Sequence, residues 1–106
     1  MRLLLFVAAF VLAFSSFAIA ASRSQRTHGA AVFSESGCQH CHSIGGVGGH
    51  KGPDLSGVGR RKSKAELGQQ IVFGSKVMPA FGNVLEPSEL DDVVAYLRSC
   101  KDKPKK

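Results

Sequence analysis

Apolar positions along the chain fall into one continuous block followed by weaker, periodic stretches. In the block, Arg2 precedes Leu3–Phe17, broken only by Ser15 and Ser16, and Ala18-Ile19-Ala20 follows. Near the other end, Leu90, Val93, Val94, Leu97 and Cys100 recur at three- and four-residue spacing, which predicts an amphipathic helix. Pro87 sits where a first helical position belongs, and Glu89, Asp91 and Asp92 favour the positive end of its dipole. Ser63-Lys64-Ala65-Glu66 reads as a capping box opening a second helix to about Phe73, with Leu67, Ile71 and Phe73 on its buried side and Gly74 as its stop. Ala30, Ala31, Val32 and Phe33 predict a short helix over 28–36, ended by Gly37 in the left-handed conformation.

Two loops separate these helices. Residues 45–59 hold seven glycines and Pro53, which argues against any regular helix or strand there. So long a loop in a small domain exists to wrap something. The second, Ser75–Leu85, carries Met78-Pro79. No segment alternates with period two over a strand's length, so the fold class is all-α, with three to four short helices.

The 106 residues suit one domain. A basic start, an apolar run and an A-x-A site give 1–20 the layout of a secretory signal peptide cut after Ala20; an uncleaved membrane anchor is the competing reading. Residues 21–27 are expected to be a flexible lead-in, 28–100 the domain and 101–106 a basic tail. Outside the leader only Phe33, Phe73, Phe81 and Tyr96 are aromatic. A domain of roughly 80 residues with so little apolar volume needs something besides side chains in its core. The length excludes a membrane bundle and a doubly wound nucleotide-binding fold.

Charge and cysteines narrow the chemistry. The formal net charge is +6, with Lys101, Lys103, Lys105 and Lys106 in the tail. An acidic protein surface is the expected partner, and nucleic acid is not. An exported chain would ordinarily pair its thiols, but three cysteines cannot all pair within one chain. Cys38-Gln39-His40-Cys41-His42 resolves this. On a helical turn both sulfurs and the His42 imidazole project to one side. That arrangement suits a flat macrocycle, with thioethers from Cys38 and Cys41 and the imidazole at the iron. Zinc binding would require a second ligand pair, with Cys100, His28 or His50 conscripted. A thiol redox site would require a βαβ context. Given haem, Met78 is the candidate sixth ligand, since no other methionine follows the leader; His28, His40 and His50 are the substitutes, and gap-filling core is its competing role. Cys100 continues the stripe of the last helix as a small buried hydrophobe, or else forms an intermolecular disulfide.

With these residues in place the chain resembles the class I c-type cytochromes, in particular small bacterial mono-haem members. The resemblance rests on Gly29-Ala30-Ala31-Val32-Phe33, Cys38-Gln39-His40-Cys41-His42, Gly52-Pro53-Asp54-Leu55, Met78-Pro79-Ala80-Phe81 and Ala95-Tyr96-Leu97, in that order. It implies a cytochrome c fold around one covalent haem c, with Gly29 allowing the terminal helices to cross and Phe33 packing on Tyr96 and Leu97. It also implies that the Pro53 carbonyl accepts a hydrogen bond from the second nitrogen of His42. Arg60 or Arg61 is set by position and charge to meet a haem propionate. The chain departs from the family in lacking tryptophan and in carrying Cys100. The implied function is periplasmic one-electron transfer between respiratory or dehydrogenase partners, not enzymatic catalysis, by a monomer with acidic docking partners. Leu55, Val58, Phe73 and Phe81 are expected to bury the cofactor. The alternatives are a fixed or membrane-anchored haem subunit of an oxidase or dehydrogenase, and a sensor or enzyme in which Met78 dissociates.

Overall fold

The computed structural model describes residues 23–103. The predicted leader and the tail residues Lys105 and Lys106 lie outside them. The described chain opens in helix α1 (23–35), so the flexible lead-in expected through Thr27 is helical from Arg23. Gly37 follows with φ 80°, the left-handed residue the sequence called for. A single 3-10 turn, Cys38–His40, comes next, then strands β1 (Ser43–Ile44) and β2 (Val47–Gly48). Helices α2 (Val58–Arg61), α3 (Lys64–Phe73) and α4 (Pro87–Ser99) complete the order.

The glycine-rich segment thus holds strand β2 and the start of α2, regular elements that its composition argued against. Strands β1 and β2 pair antiparallel, Ser43 opposite Gly48 and Ile44 opposite Val47. Gly45 and Gly46 join them with φ 61° and 84°, and two positive φ values in succession define the primed turn that matches strand twist. Two residues per strand give too few positions for alternation to register.

Helix ends follow their predicted chemistry. Ser63 Oγ accepts from the Glu66 N–H and Glu66 Oε1 accepts from the Ser63 N–H, each at 3.1 Å. At α4 the Glu89 carboxylate accepts from the Glu86 N–H at 2.9 Å, ahead of Pro87 in the first turn. The Arg98 guanidinium donates to the Gly59 and Lys62 carbonyls at 3.2 and 2.9 Å, placing a cation at the negative end of α2 and fastening it to α4.

The core draws on every helix: Val32 and Phe33 from α1, Val58 from α2, Leu67 and Ile71 from α3, and Val93, Val94 and Leu97 from α4. Its centre is the crossing of α1 and α4. Phe33 meets Tyr96 edge to face, with ring centroids 5.8 Å apart and planes at 61°. Beside them His28 Nδ1 pairs with the Asp92 carboxylate.

Candidate cofactor site

The Cys38–His42 segment is shaped by its own backbone. The Cys41 and His42 N–H groups both donate to the Cys38 carbonyl, at 3.2 and 3.0 Å, curling the motif into a compact turn. The glycine-rich loop is then stitched along it. Gly49 N–H donates to the Gln39 carbonyl at 2.8 Å, Gly52 N–H to the Cys41 carbonyl at 2.7 Å, and Leu55 N–H to the Ser43 carbonyl at 2.8 Å. Glycine is required for this approach: a Cβ on Gly49 would sit 2.6 Å from the His40 carbonyl carbon. A Cβ on Gly52 would sit 2.7 Å from Cε1 of the His42 ring.

The loop carries the group that orients His42. His42 Nδ1 donates to the Pro53 carbonyl at 2.7 Å, the bond implied by the resemblance. It keeps the ring's proton on Nδ1 and leaves Nε2 with a free lone pair for a metal. A polar network holds Pro53 in turn. Asp54 Oδ1 accepts from the Ser56 N–H at 2.8 Å, and the buried Ser56 Oγ accepts from the Gly45 N–H at 2.8 Å. The hydrogen bonds from Ser56 hold the Asp54 carboxyl below the ordinary carboxylate range. Arg61 donates to the Ser56 and Asp54 carbonyls at 2.8 and 3.3 Å, so its guanidinium is engaged by the loop; Arg60 is exposed.

Cys38 and His42 line a small apolar cleft that is partly open to solvent. Its other walls are Val32, Phe33 and Ser36 of α1, Leu55, Ile71 of α3, Phe81, Leu85, and Val93 and Leu97 of α4. Burial pushes the Cys38 thiol above its usual range. Cys41 is half-buried but not among the walls. Met78 packs, partly buried, against the apolar core without being one of the cleft walls, and its sulfur accepts from Gln70 Nε2 at 3.6 Å. None of the substitute ligands faces the cleft: His28 is paired with Asp92, and His40 and His50 are exposed.

Two expected cofactor-covering residues are placed elsewhere. Phe73 is 76% exposed, because it ends α3 on the side away from Leu67 and Ile71. Val58 is buried in the core without reaching the cleft, while Leu55 and Phe81 line it as expected. Leu85, Ser56 and Gln70 were not singled out by the sequence. Leu85 follows Phe81 by four residues, a spacing that could have marked it; Ser56 carries no such signal.

The residues fit a covalently held haem. One imidazole nitrogen is fixed and the other free, a motif cysteine lies on the same wall, and apolar side chains from three helices and two loops would keep water from the ring. Among the described residues no three His, Cys, Asp or Glu side chains cluster as a bare metal ion would need.

Comparison with known proteins agrees. Residues 24–97 match the family described as cytochrome c oxidase, cbb3-type, subunit III. Cytochrome c6 of Nostoc sp. is 36% identical over 99 residues, 89% of this chain and 85% of that one. The chain belongs to the class I c-type cytochromes. The c-type cytochrome SorU of Sinorhizobium meliloti shares the fold, with a TM-score of 0.65 at 22% identity over 79% of this chain and 99% of that one. Cytochrome c oxidase subunit 2 of Alkalihalophilus pseudofirmus is 31% identical over 86 residues, 69% of this chain but 25% of its own length. As a class I c-type cytochrome, the chain carries covalently bound haem c and works as an electron carrier, not an enzyme.

Proposed function

We propose that this cytochrome is an exported, periplasmic one-electron carrier whose haem is joined to Cys38 and Cys41 and ligated by His42 Nε2 and the Met78 thioether. The observation that carries this reading is the 2.7 Å bond from His42 Nδ1 to the Pro53 carbonyl, which turns Nε2 into a fixed ligand atom. Haem, when bound, supplies one-electron exchange between ferric and ferrous iron. The chain's own residues do the rest. Pro53 and Gly52 hold the imidazole, Leu55, Phe81 and Ile71 exclude water, and the Ser75–Met78 turn presents the sulfur. With His42 and Met78 both holding the iron, the protein would leave no position there for substrate. Arg60 and Arg61, both exposed, are the arginines available to a propionate, Arg61 while also donating to the loop carbonyls.

The A-x-A site after the apolar block supports export with cleavage at Ala20. The net charge of +6 and the exposed Lys51, Lys76, Lys101 and Lys103 support docking on acidic redox partners by a monomer. The matched family's description and the oxidase subunit 2 relative favour a second reading, a haem unit fixed to an oxidase. Fractionation of expressing cells with N-terminal sequencing separates the two. A soluble periplasmic form beginning near Ala21 meets the carrier reading; a membrane-bound form retaining Met1 contradicts it.

A further inference from the structure

The segment that presents the Pro53 carbonyl runs beside the one that carries His42, and hydrogen bonds join them at successive rungs. His42 Nδ1 donates to the Pro53 carbonyl at 2.7 Å, the Leu55 N–H to the Ser43 carbonyl at 2.8 Å, and the Gly45 N–H to Ser56 Oγ at 2.8 Å. The middle rung is backbone alone. The last hangs on one hydroxyl, which ties the hairpin turn at Gly45 to the loop that holds the imidazole.

Ser56 is 2% exposed, and each of its polar groups has a partner. Its N–H donates to Asp54 Oδ1 and its carbonyl accepts from the Arg61 guanidinium, both at 2.8 Å. Its hydroxyl also bonds the Asp54 carboxylate. A carboxylate only accepts, so the hydroxyl proton points to Asp54 and an oxygen lone pair is left for Gly45. Donating to an anion polarises the hydroxyl and strengthens its acceptor side.

We infer that Ser56 is a positioning residue for the His42 imidazole: its hydroxyl closes the last rung and so sets how firmly the Pro53 carbonyl grips the ring N–H. The inference rests on the reading of His42 Nε2 as a ligand atom. A firm grip makes the imidazole the stronger electron donor and favours ferric iron. Loosening it raises the reduction potential, with no charge added or removed at position 56. Loss of one hydrogen bond corresponds to about a two- to tenfold change in how often the rungs open.

The test uses the haem-loaded protein, with the reduction potential measured at fixed pH and exchange of the His42 ring N–H followed by proton NMR in the ferrous state. Threonine and valine have the same shape and differ in the hydroxyl, so strain from an added methyl group is common to Ser56→Thr and Ser56→Val. Ser56→Ala and Ser56→Val are expected to show a higher potential and about two- to tenfold faster exchange. Ser56→Thr is expected to lie nearer the unaltered protein than Ser56→Val. Ser99→Ala, which removes a hydroxyl bonded to the Tyr96 carbonyl at the exposed end of α4, is expected to leave both quantities unchanged. Equal potentials and exchange rates in Ser56→Thr and Ser56→Val would overturn the inference. The ferric NMR spectrum of the unaltered protein separates that failure from failure of the ligand reading: if the His42 ring protons carry no paramagnetic shift, His42 is not the ligand and the inference falls with it.

Discussion

Gly29 on α1 lies against the backbone of Asp92 on α4, so close that an added Cβ would stand 2.6 Å from the Asp92 carbonyl carbon and 2.8 Å from Tyr96 Cβ. Neither neighbour is the flexible end of a side chain. Gly29→Ala must therefore push the helices apart and loosen the Phe33–Tyr96 contact. The expected cost is about 2 kcal/mol or more, as for overpacking at a close contact, read as a lower denaturation midpoint of the haem-loaded protein. An unchanged midpoint would show that the crossing is slack.

Much of this arrangement was legible in the sequence because local chemistry decides it. The Ser63–Glu66 box, Pro87 at the start of α4, Gly37 in the left-handed region and the Val93–Leu97 stripe are each determined by neighbours within four residues. What was missed has several causes. Phe73 was counted with the apolar face of α3, yet two residues past Ile71 it falls on the opposite side of the helix and is exposed. Arg61 also donates to carbonyls five and seven residues away, a role its charge alone did not signal. The hairpin at Gly45-Gly46 was hidden by the composition that also makes its turn.

Gly52 offers a direct handle on the His42 ring. A Cβ there would meet Cε1, Nδ1 and Nε2 at 2.7, 2.9 and 3.1 Å, so Gly52→Ala displaces the imidazole from the Pro53 carbonyl. Loss of that bond lowers the basicity of the ligand nitrogen. The variant is expected to show an altered reduction potential and a perturbed haem spectrum while keeping both thioethers. A potential equal to that of the unaltered protein would argue that the ring has room to spare.

Acid should weaken the loop that carries Pro53. The Ser56 hydrogen bonds depress the folded-state pKa of Asp54, and those of Ser63 do the same for Glu66, so the folded state binds fewer protons than the unfolded chain. Their contribution is present above the unfolded carboxylate values, near about 4, and is lost as pH falls through the lower folded ones. Asp54→Asn keeps an oxygen to accept from the Ser56 N–H but cannot titrate. Denaturation midpoints of this variant should fall less steeply on acidification; a slope identical to that of the unaltered protein would contradict the assignment.

Among the described residues eight apolar side chains form the buried core, with Val32 and Val93 the least accessible. Leu55, Phe81 and Leu85 line the cleft. With Cys38 and Cys41 both replaced by alanine, so that haem is not attached, the chain is expected to lose most of its helical circular dichroism. Native-like dichroism with protected amides in that variant would show that the side chains suffice.

The central claim is that His42 and Met78 hold, from two sides, a haem joined to Cys38 and Cys41. An absorption spectrum of the exported ferric protein, followed by pyridine haemochrome on the same sample, tests it most directly. The account predicts a haemochrome of haem c with both vinyl groups saturated, and a sulfur–iron band that disappears in Met78→Ala. Extractable haem, or a native spectrum without that band at neutral pH, would contradict it.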